Sequence, residues 1–196
     1  MLQSVKTFIG SPVLAADGPA GLVSDVSFDE RRWRVCRFVV DPGEGRDKIL
    51  ISPAQVLLRG DGAVLRLPQR RAEAVEDQAG DPEPRTWGQL SGYAVHAVDG
   101  DTGRVMDLLV NTSTWAVNCL VIGTRVWVAR KRALISPVDV ERIDWPGRAV
   151  RLRLERDAIR CRLKLPASAP RGGAGRRPHR AGQAGEESPQ GRSDPL

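Results

Sequence analysis

The chain contains the same pattern twice, and this internal repeat limits its possible folds more than any other feature. VLAADGPAGLVSD at residues 13–25 returns as VHAVDGDTGRVMD at residues 95–107, which is 82 positions later. Trp33 matches Trp115 at the same shift. ILISP at 49–53 then matches ALISP at 133–137 after a two-residue insertion. A duplicated unit of this kind predicts two structural repeats with one order of elements.

Between these landmarks the sequence has the alternation of β-strands. Apolar and β-branched residues alternate or dominate in WRVCRFVV (33–40), WAVNCLVI (115–122), RVWVAR (125–130) and AVRLRL (149–154). Short strands separated by turn residues predict an all-β fold of two small tandem barrels. Each repeat is expected to end in a short helix, at residues 155–163 in the second and, less clearly, at 70–76 in the first.

The glycines and aspartates of the repeated motif predict turns. Asp17-Gly18 and Asp99-Gly100 suit a two-residue type I′ hairpin turn, in which both central residues have positive φ. Gly21 and Gly103 are expected to relieve a bend or bulge where the next strand begins. A calcium loop needs oxygen ligands at loop positions 1, 3 and 5 and a bidentate glutamate at position 12. The first copy has Pro19 where the second has Asp101. No metal site is therefore expected.

The Ser-Pro pairs in the two copies predict one-turn helices. Ser52 and Ser136 can serve as N-caps, with Pro53 and Pro137 at the first helical position. A serine followed by proline, with no histidine placed near it, is poorly suited to act as a nucleophile. These serines are interpreted as structural.

Composition sets the domain boundaries. The predicted repeats span 1–75 and 88–165, joined by a linker at 76–87 that is rich in acids and proline. Residues 166–196 have five arginines and no aromatic or β-branched residue, so this basic tail is predicted to be disordered. Each repeat alone is a marginal size for a stable core. We therefore expect the two repeats to bury apolar surface against each other.

Bulk properties exclude several classes of protein. The three cysteines form no paired motif, which argues against a disulfide framework or a zinc site. No apolar run is long enough to span a membrane, and no signal peptide is evident, so a soluble cytoplasmic protein is expected, with peripheral contact to the inner membrane as a further option. The net charge of +6 permits binding to nucleic acid or anionic lipid.

The repeated landmarks together resemble the PRC-barrel family. The pattern D-G-x-x-G-x-V-x-D, followed by an aromatic-led strand and a Ser-Pro turn, occurs in both copies and is closer in the second. The family includes the cytoplasmic part of the photosynthetic reaction-centre H subunit, the C-terminal domain of a ribosome maturation factor and many small bacterial proteins. The resemblance implies a β-barrel domain that binds partners and is not an enzyme. We expect this protein to differ from the H subunit in having no membrane helix and from the ribosome factor in having no N-terminal domain before the barrel.

The residues offer little catalytic chemistry. Of two histidines, His179 is in the predicted tail and His96 in a strand, and no cluster predicts a metal, a cofactor or a catalytic triad. The segment RVWVARKR has the strongest functional character. Its Arg125, Trp127, Arg130, Lys131 and Arg132 could bind a partner, since arginine forks and an aromatic ring suit RNA or anionic headgroups.

The leading hypothesis is a non-enzymatic PRC-barrel adaptor, similar to the H subunit, that binds another protein in the cytoplasm or at the membrane surface. The alternative is an RNA- or ribosome-associated factor that uses the arginine and tryptophan strand with the basic tail. An enzyme is the least favoured of the three classes.

Overall fold

The computed structural model describes residues 1–16, 18–43, 45–59, 64–66, 84–124 and 132–161. Within them the chain is mostly β-strand with short helices, which confirms the all-β class. The first half contains β1 (Leu2–Ser4), α1 (Val5–Phe8), β2 (Pro12–Ala15), β3 (Gly18–Asp29), β4 (Arg34–Asp41), β5 (Ile49–Ile51), β6 (Leu57–Arg59) and β7 (Val64–Arg66). The second contains β8 (Arg85–Thr86), α2 (Trp87–Leu90), β9 (Ala94–Ala97), β10 (Gly100–Asn111), β11 (Val117–Thr124), β12 (Arg132–Ile135), β13 (Val140–Asp144), β14 (Ala149–Leu152) and α3 (Arg156–Cys161).

The two halves build sheets with the same strand order. The first sheet runs β5-β4-β3-β2-β7-β6 and the second runs β12-β11-β10-β9-β14-β13. In each sheet one pair is parallel, β2 with β7 and β9 with β14, while the other neighbours are antiparallel. The duplication seen in the sequence is therefore a duplication of topology.

Neither sheet is closed. Among the described residues, no strand pairing joins β5 to β6 or β12 to β13, the strands at the two edges of each sheet. Two closed tandem barrels are thus not observed. The predicted strand at 125–130, the helix at 70–76 and the tail at 166–196 lie outside the described residues.

Each repeat gives its first strand to the other repeat. β1 pairs with β10, with Leu2 opposite Asn111, and β8 pairs with β3, with Thr86 opposite Ser27. Arg85 to Trp87, which the sequence assigned to the linker, therefore belong to β8 and the start of α2. The helices that follow, α1 and α2, were not predicted. This exchange interlocks the two halves of the chain.

The two sheets share one hydrophobic core. Phe8 of α1 packs edge-on against Phe38 of β4 with ring centroids 5.5 Å apart, and Trp115 of the second repeat lies 5.8 Å from Phe8 and 5.3 Å from Phe38. The buried cluster continues through both repeats, to Leu120 and Ile159. The expectation that the repeats bury apolar surface against each other is confirmed.

The hairpin corner has the same register in both repeats, but its turn differs from the predicted one. Ala97 pairs with Gly100, so the two turn residues are Val98 and Asp99. Of the four residues 97–100, only Gly100 has a positive φ, of 134°. The type I′ turn at Asp99-Gly100 is therefore wrong, because Asp99 keeps the negative φ of an ordinary residue and Gly100 is already the first residue of β10.

The hairpin turn of the first repeat has the same geometry. Ala15 pairs with Gly18, whose φ is 131°, while Asp17 lies outside the described residues. Register shifts follow in both hairpins, immediately before Gly21 and Gly103. Gly21 has a φ of 135°, and a Cβ there would lie 2.2 Å from the carbonyl oxygen of Asp41. The glycine at this bulge thus permits close approach of a neighbouring backbone.

Candidate interaction site at the seam of the repeats

Of the predicted partner-binding residues, the described part of the chain contains Arg132. Arg125, Trp127, Arg130 and Lys131 lie outside the described residues. Arg132 is the first residue of β12, where it is exposed and stands opposite Gly123 of β11. Its position leaves the guanidinium accessible, but the structure brings no described aromatic ring to it.

The Ser-Pro pairs form one-turn 3₁₀ helices at Pro53–Gln55 and Pro137–Asp139. The Ser52 hydroxyl accepts a hydrogen bond from the Ala54 N–H at 3.3 Å, and the Gln55 side chain accepts one from the Ser52 N–H at 3.1 Å. Ser136 makes no such cap hydrogen bond, although Pro137 holds the same position. Both Ser-Pro pairs therefore lie at chain turns between strands.

The last aspartate of each repeated motif binds the exchanged helix of the other repeat. Asp25 on β3 accepts hydrogen bonds from the backbone N–H of Gly88 at 3.0 and 3.3 Å. It also accepts one from the N–H of Val26 at 2.8 Å. Since Gly88 lies in the first turn of α2, Asp25 satisfies an N–H group that the helix leaves without an internal partner.

Asp107 on β10 makes the equivalent contacts to the first repeat. It accepts hydrogen bonds from the Ser4 hydroxyl, from the Leu108 N–H at 2.8 Å and from the N–H of Lys6 in α1. Burial raises the pKa of the Asp107 carboxyl, which the Ser4 hydrogen bond partly opposes. The motif aspartates thus fasten the two repeats together, a role that the sequence did not predict because it joins residues far apart in the chain.

Asp99, at the turn of the second copy of the motif, also has a structural role. Its carboxylate accepts hydrogen bonds from the backbone N–H of Arg156 at 2.8 Å and from the Arg156 Nε at 3.1 Å. The backbone hydrogen bond lowers the pKa of Asp99. Asp99 therefore anchors the start of α3 to the β9–β10 turn, and its carboxylate is committed to this contact.

A cluster of four aromatic rings lies where the repeats meet. The ring of Phe28 is 6.1 Å from that of Trp33 and 6.5 Å from that of Trp145, and Tyr93 meets Trp145 edge-on at 5.6 Å. The Tyr93 hydroxyl donates to the Trp145 carbonyl oxygen at 3.3 Å. The Trp145 Nε1 donates to the carboxylate of Glu30 at 2.7 Å. Residues of both repeats therefore hold Trp145 in place.

Two arginines lie over rings of this cluster. The guanidinium carbon of Arg85 is 4.9 Å from the centre of the Trp145 ring, and that of Arg148 is 5.6 Å from the centre of the Tyr93 ring. Both arginines are exposed, and neither forms an ion pair with a described residue. We call Phe28, Trp33, Tyr93, Trp145, Arg85 and Arg148 the seam cluster.

Arg148 occupies an unfavourable backbone conformation. Its φ is 51°, in the left-handed region that favours glycine, although Gly147 directly precedes it. Its carbonyl oxygen accepts a hydrogen bond from Ala94 at 3.0 Å, which holds this turn against β9. Strain retained at a residue with an exposed, ring-stacked side chain is typical of a functional position.

Two residues of the seam cluster lie in the short connection between β13 and β14. Four residues join the last two strands of each repeat, WPGR at 145–148 in the second and GDGA at 60–63 in the first, so the tryptophan and the arginine are present only in the second copy. Arg85 lies in the segment that the sequence predicted to be a linker. Its contact with Trp145 depends on the strand exchange, which no local pattern encodes.

The described residues hold little that would support chemistry. No group of three or more potential metal-ligating side chains occurs among them. Burial raises the pKa of the Cys36 and Cys119 thiols, which disfavours the reactive thiolate at both. In this part of the chain, none of the helices has the length and apolar run that a membrane crossing requires.

Comparison with known proteins gives no identification. No protein-family model matches the chain, and no curated protein is a significant match.

Proposed function

We propose that this protein is a non-enzymatic adaptor built from two PRC-type repeats, which binds a partner protein through the seam cluster. The PRC-type assignment depends on the repeated D-G-x-x-G-x-V-x-D motif and on a strand order that is the same in both halves. The single observation that carries the binding role is the pair of exposed arginines stacked on a tryptophan and a tyrosine at the seam.

Residue types support a protein partner. Tryptophan, tyrosine and arginine are the residues most enriched at the energetic centres of protein interfaces. Stacking on a ring orders an arginine before binding, so less conformational entropy is lost when a partner engages its guanidinium. Arg85 and Arg148 also keep their hydrogen-bond donors free of acidic partners among the described residues.

The test is capture of partners by the full-length tagged protein after crosslinking in its own host, with washing at roughly 0.5 M salt to remove contacts that are only electrostatic. Proteins captured by the wild type and lost with both Arg85→Glu and Arg148→Glu would be partners of the seam cluster. Lys48→Glu is the matched control, because Lys48 is exposed and lies outside the seam cluster.

Two results would contradict the proposal. One is a set of captured proteins that is the same for the wild type and for both seam variants. The other is salt-sensitive sedimentation with ribosomal particles that depends on Arg125, Arg130, Lys131 and Arg132, which would favour the RNA- or ribosome-associated alternative.

A further inference from the structure

A row of four polar side chains crosses the outer face of the second sheet. Strand pairing places Arg142 of β13 opposite Arg151 of β14, Arg151 beside His96 of β9, and His96 opposite Asp101 of β10. Neighbours of Arg151 and His96 along the strands, such as Val150, Leu152 and Val95, are buried in the core. The row therefore points away from the core, and we call it the arginine–histidine row.

The two arginines of the row lack an anionic partner in the described part of the chain. Both are exposed, and neither Arg142 nor Arg151 forms an ion pair or side-chain hydrogen bond there. Asp144, two residues from Arg142 in β13, accepts a hydrogen bond from the Gly147 N–H at 3.0 Å, and Asp101 binds His96. Like charges directly opposite each other on adjacent strands destabilise a sheet. A bound anion would relieve the repulsion between these two arginines.

His96 adds an oriented nitrogen to the row. Its Nδ1 is 2.6 Å from the Oδ1 of Asp101. Because a carboxylate can only accept a hydrogen bond, the proton of this contact is on Nδ1, and Nε2 is the nitrogen left for a ligand. About two-thirds of the His96 side chain is shielded, whereas Asp101 is 88% exposed, so the aspartate fixes the ring from the solvent side.

The first repeat offers an internal comparison. The same four register positions are occupied there by Leu57, Arg66, Leu14 and Pro19. Only the arginine of β7 and β14 is shared between the two sheets. The two copies thus share the backbone pairing of this row, whereas its residues are largely apolar in the first copy and polar in the second.

We propose that the arginine–histidine row is a binding site for a phosphoryl group. Neighbouring strands lie about 4.8 Å apart, so the Cα atoms of Arg142 and His96 are separated by roughly 10 Å and one small anion is within reach of all three side chains. Two guanidinium forks offer more donors than the two oxygens of a carboxylate use. They match the oxygens and double charge of a phosphate monoester.

The test is a titration of the full-length protein with inorganic phosphate at constant ionic strength, monitored by the NMR chemical shifts of its amide and imidazole groups. We expect saturable shifts at His96, Arg142 and Arg151, and an association constant lowered roughly tenfold or more in the R142Q/R151Q variant. The R31Q/R34Q variant is the matched control. It removes two exposed arginines of the first repeat that lie outside the row, and it should bind phosphate within about twofold of the wild type.

The source of the phosphoryl group is separated by two further probes. Binding of glycerol 3-phosphate identifies a soluble monoester, while binding only to vesicles that contain phosphatidic acid identifies a lipid headgroup, and either result supports the site. Equal weakening in both double variants would instead mean attraction by net charge alone and would overturn it. Shifts that do not saturate, or that occur away from the row, would overturn it as well.

Discussion

Arg34 and Ala116 face each other in an antiparallel bridge, and each is the counterpart of the other in the duplicated sequence. On either side of them the Val35 N–H donates to the Trp115 carbonyl oxygen at 2.8 Å, and the Val117 N–H donates to the Trp33 carbonyl oxygen at 2.7 Å. Equivalent positions that pair with each other must lie on an axis of approximate twofold symmetry. The repeats therefore meet as the two subunits of a symmetric dimer would, within one chain.

The first prediction concerns the repeats in isolation. A fragment of residues 1–78 retains β1 and α1 without β10, and β3 without β8, so Phe8 loses its contact with Trp115 and Phe28 its contact with Trp145. We expect no cooperative thermal transition by circular dichroism for this fragment. Coexpression with residues 79–165 should restore the transition. A stable, cooperative fold of the first fragment alone would contradict the interlocked core.

The second prediction compares two glycines with nearly the same backbone conformation. Gly21→Ala should lower the free energy of unfolding by roughly 3 kcal/mol or more, because its Cβ would collide with the Asp41 carbonyl oxygen. Gly18→Ala, at a φ of 131° with no atom near its Cβ, should cost only about 1–2 kcal/mol. Chemical denaturation measures both. Equal losses would mean that the close approach at Gly21 has no energetic effect.

The third prediction uses the opposite pKa shifts of two aspartates. Burial raises the pKa of Asp107, so folding favours its protonated form, and this contribution to stability is present below the ordinary value of 3.8 and is lost as the pH rises through the raised pKa. Asp107→Asn cannot titrate. Its free energy of unfolding, relative to the wild type, should therefore increase as the pH rises from 3.8 through the raised pKa.

Asp99 should give the reverse slope. The Arg156 backbone hydrogen bond lowers its pKa, so its contribution is present above 3.8 and is lost as the pH falls through the lowered pKa. The free energy of unfolding of Asp99→Asn, relative to the wild type, should decrease as the pH rises through that lower range up to 3.8. Denaturant titrations at several pH values test both variants, and slopes of the same sign would refute the assigned environments.

The fourth prediction separates stability from binding at Arg148. Glycine accepts a φ of 51° without strain, which offsets the loss of the contact with Tyr93 and the greater flexibility of the unfolded chain. Arg148→Gly should leave the free energy of unfolding within about 1 kcal/mol of the wild type, while it weakens capture of the seam partner. A large loss of stability would show that Arg148 is retained for folding instead.

The sequence was sufficient for the repeat, the strand class and the position of the hairpins, because hydrophobic alternation and turn residues are local signals. The turn itself was shifted by one residue, since the positive φ belongs to Gly100 alone. The strand exchange was out of reach, because Leu2 and Asn111 are paired by tertiary structure. For the same reason, the sequence could not predict the contact of Arg85 with Trp145. The alignment of Arg142, Arg151 and His96 could not be predicted either, because it depends on the register of three strands.

The exchange of first strands also determines when each half of the chain can finish folding during its synthesis. The residues of β1 and α1 leave the ribosome well before those of β10, which ends only at Asn111. The first sheet likewise waits for β8 and α2 before Trp87 and Leu90 can cover its core. Neither half can reach its final state while the other is still being translated, so Val5 and Phe8 remain exposed on the nascent polypeptide until the second half emerges, and chaperones have that interval in which to engage it.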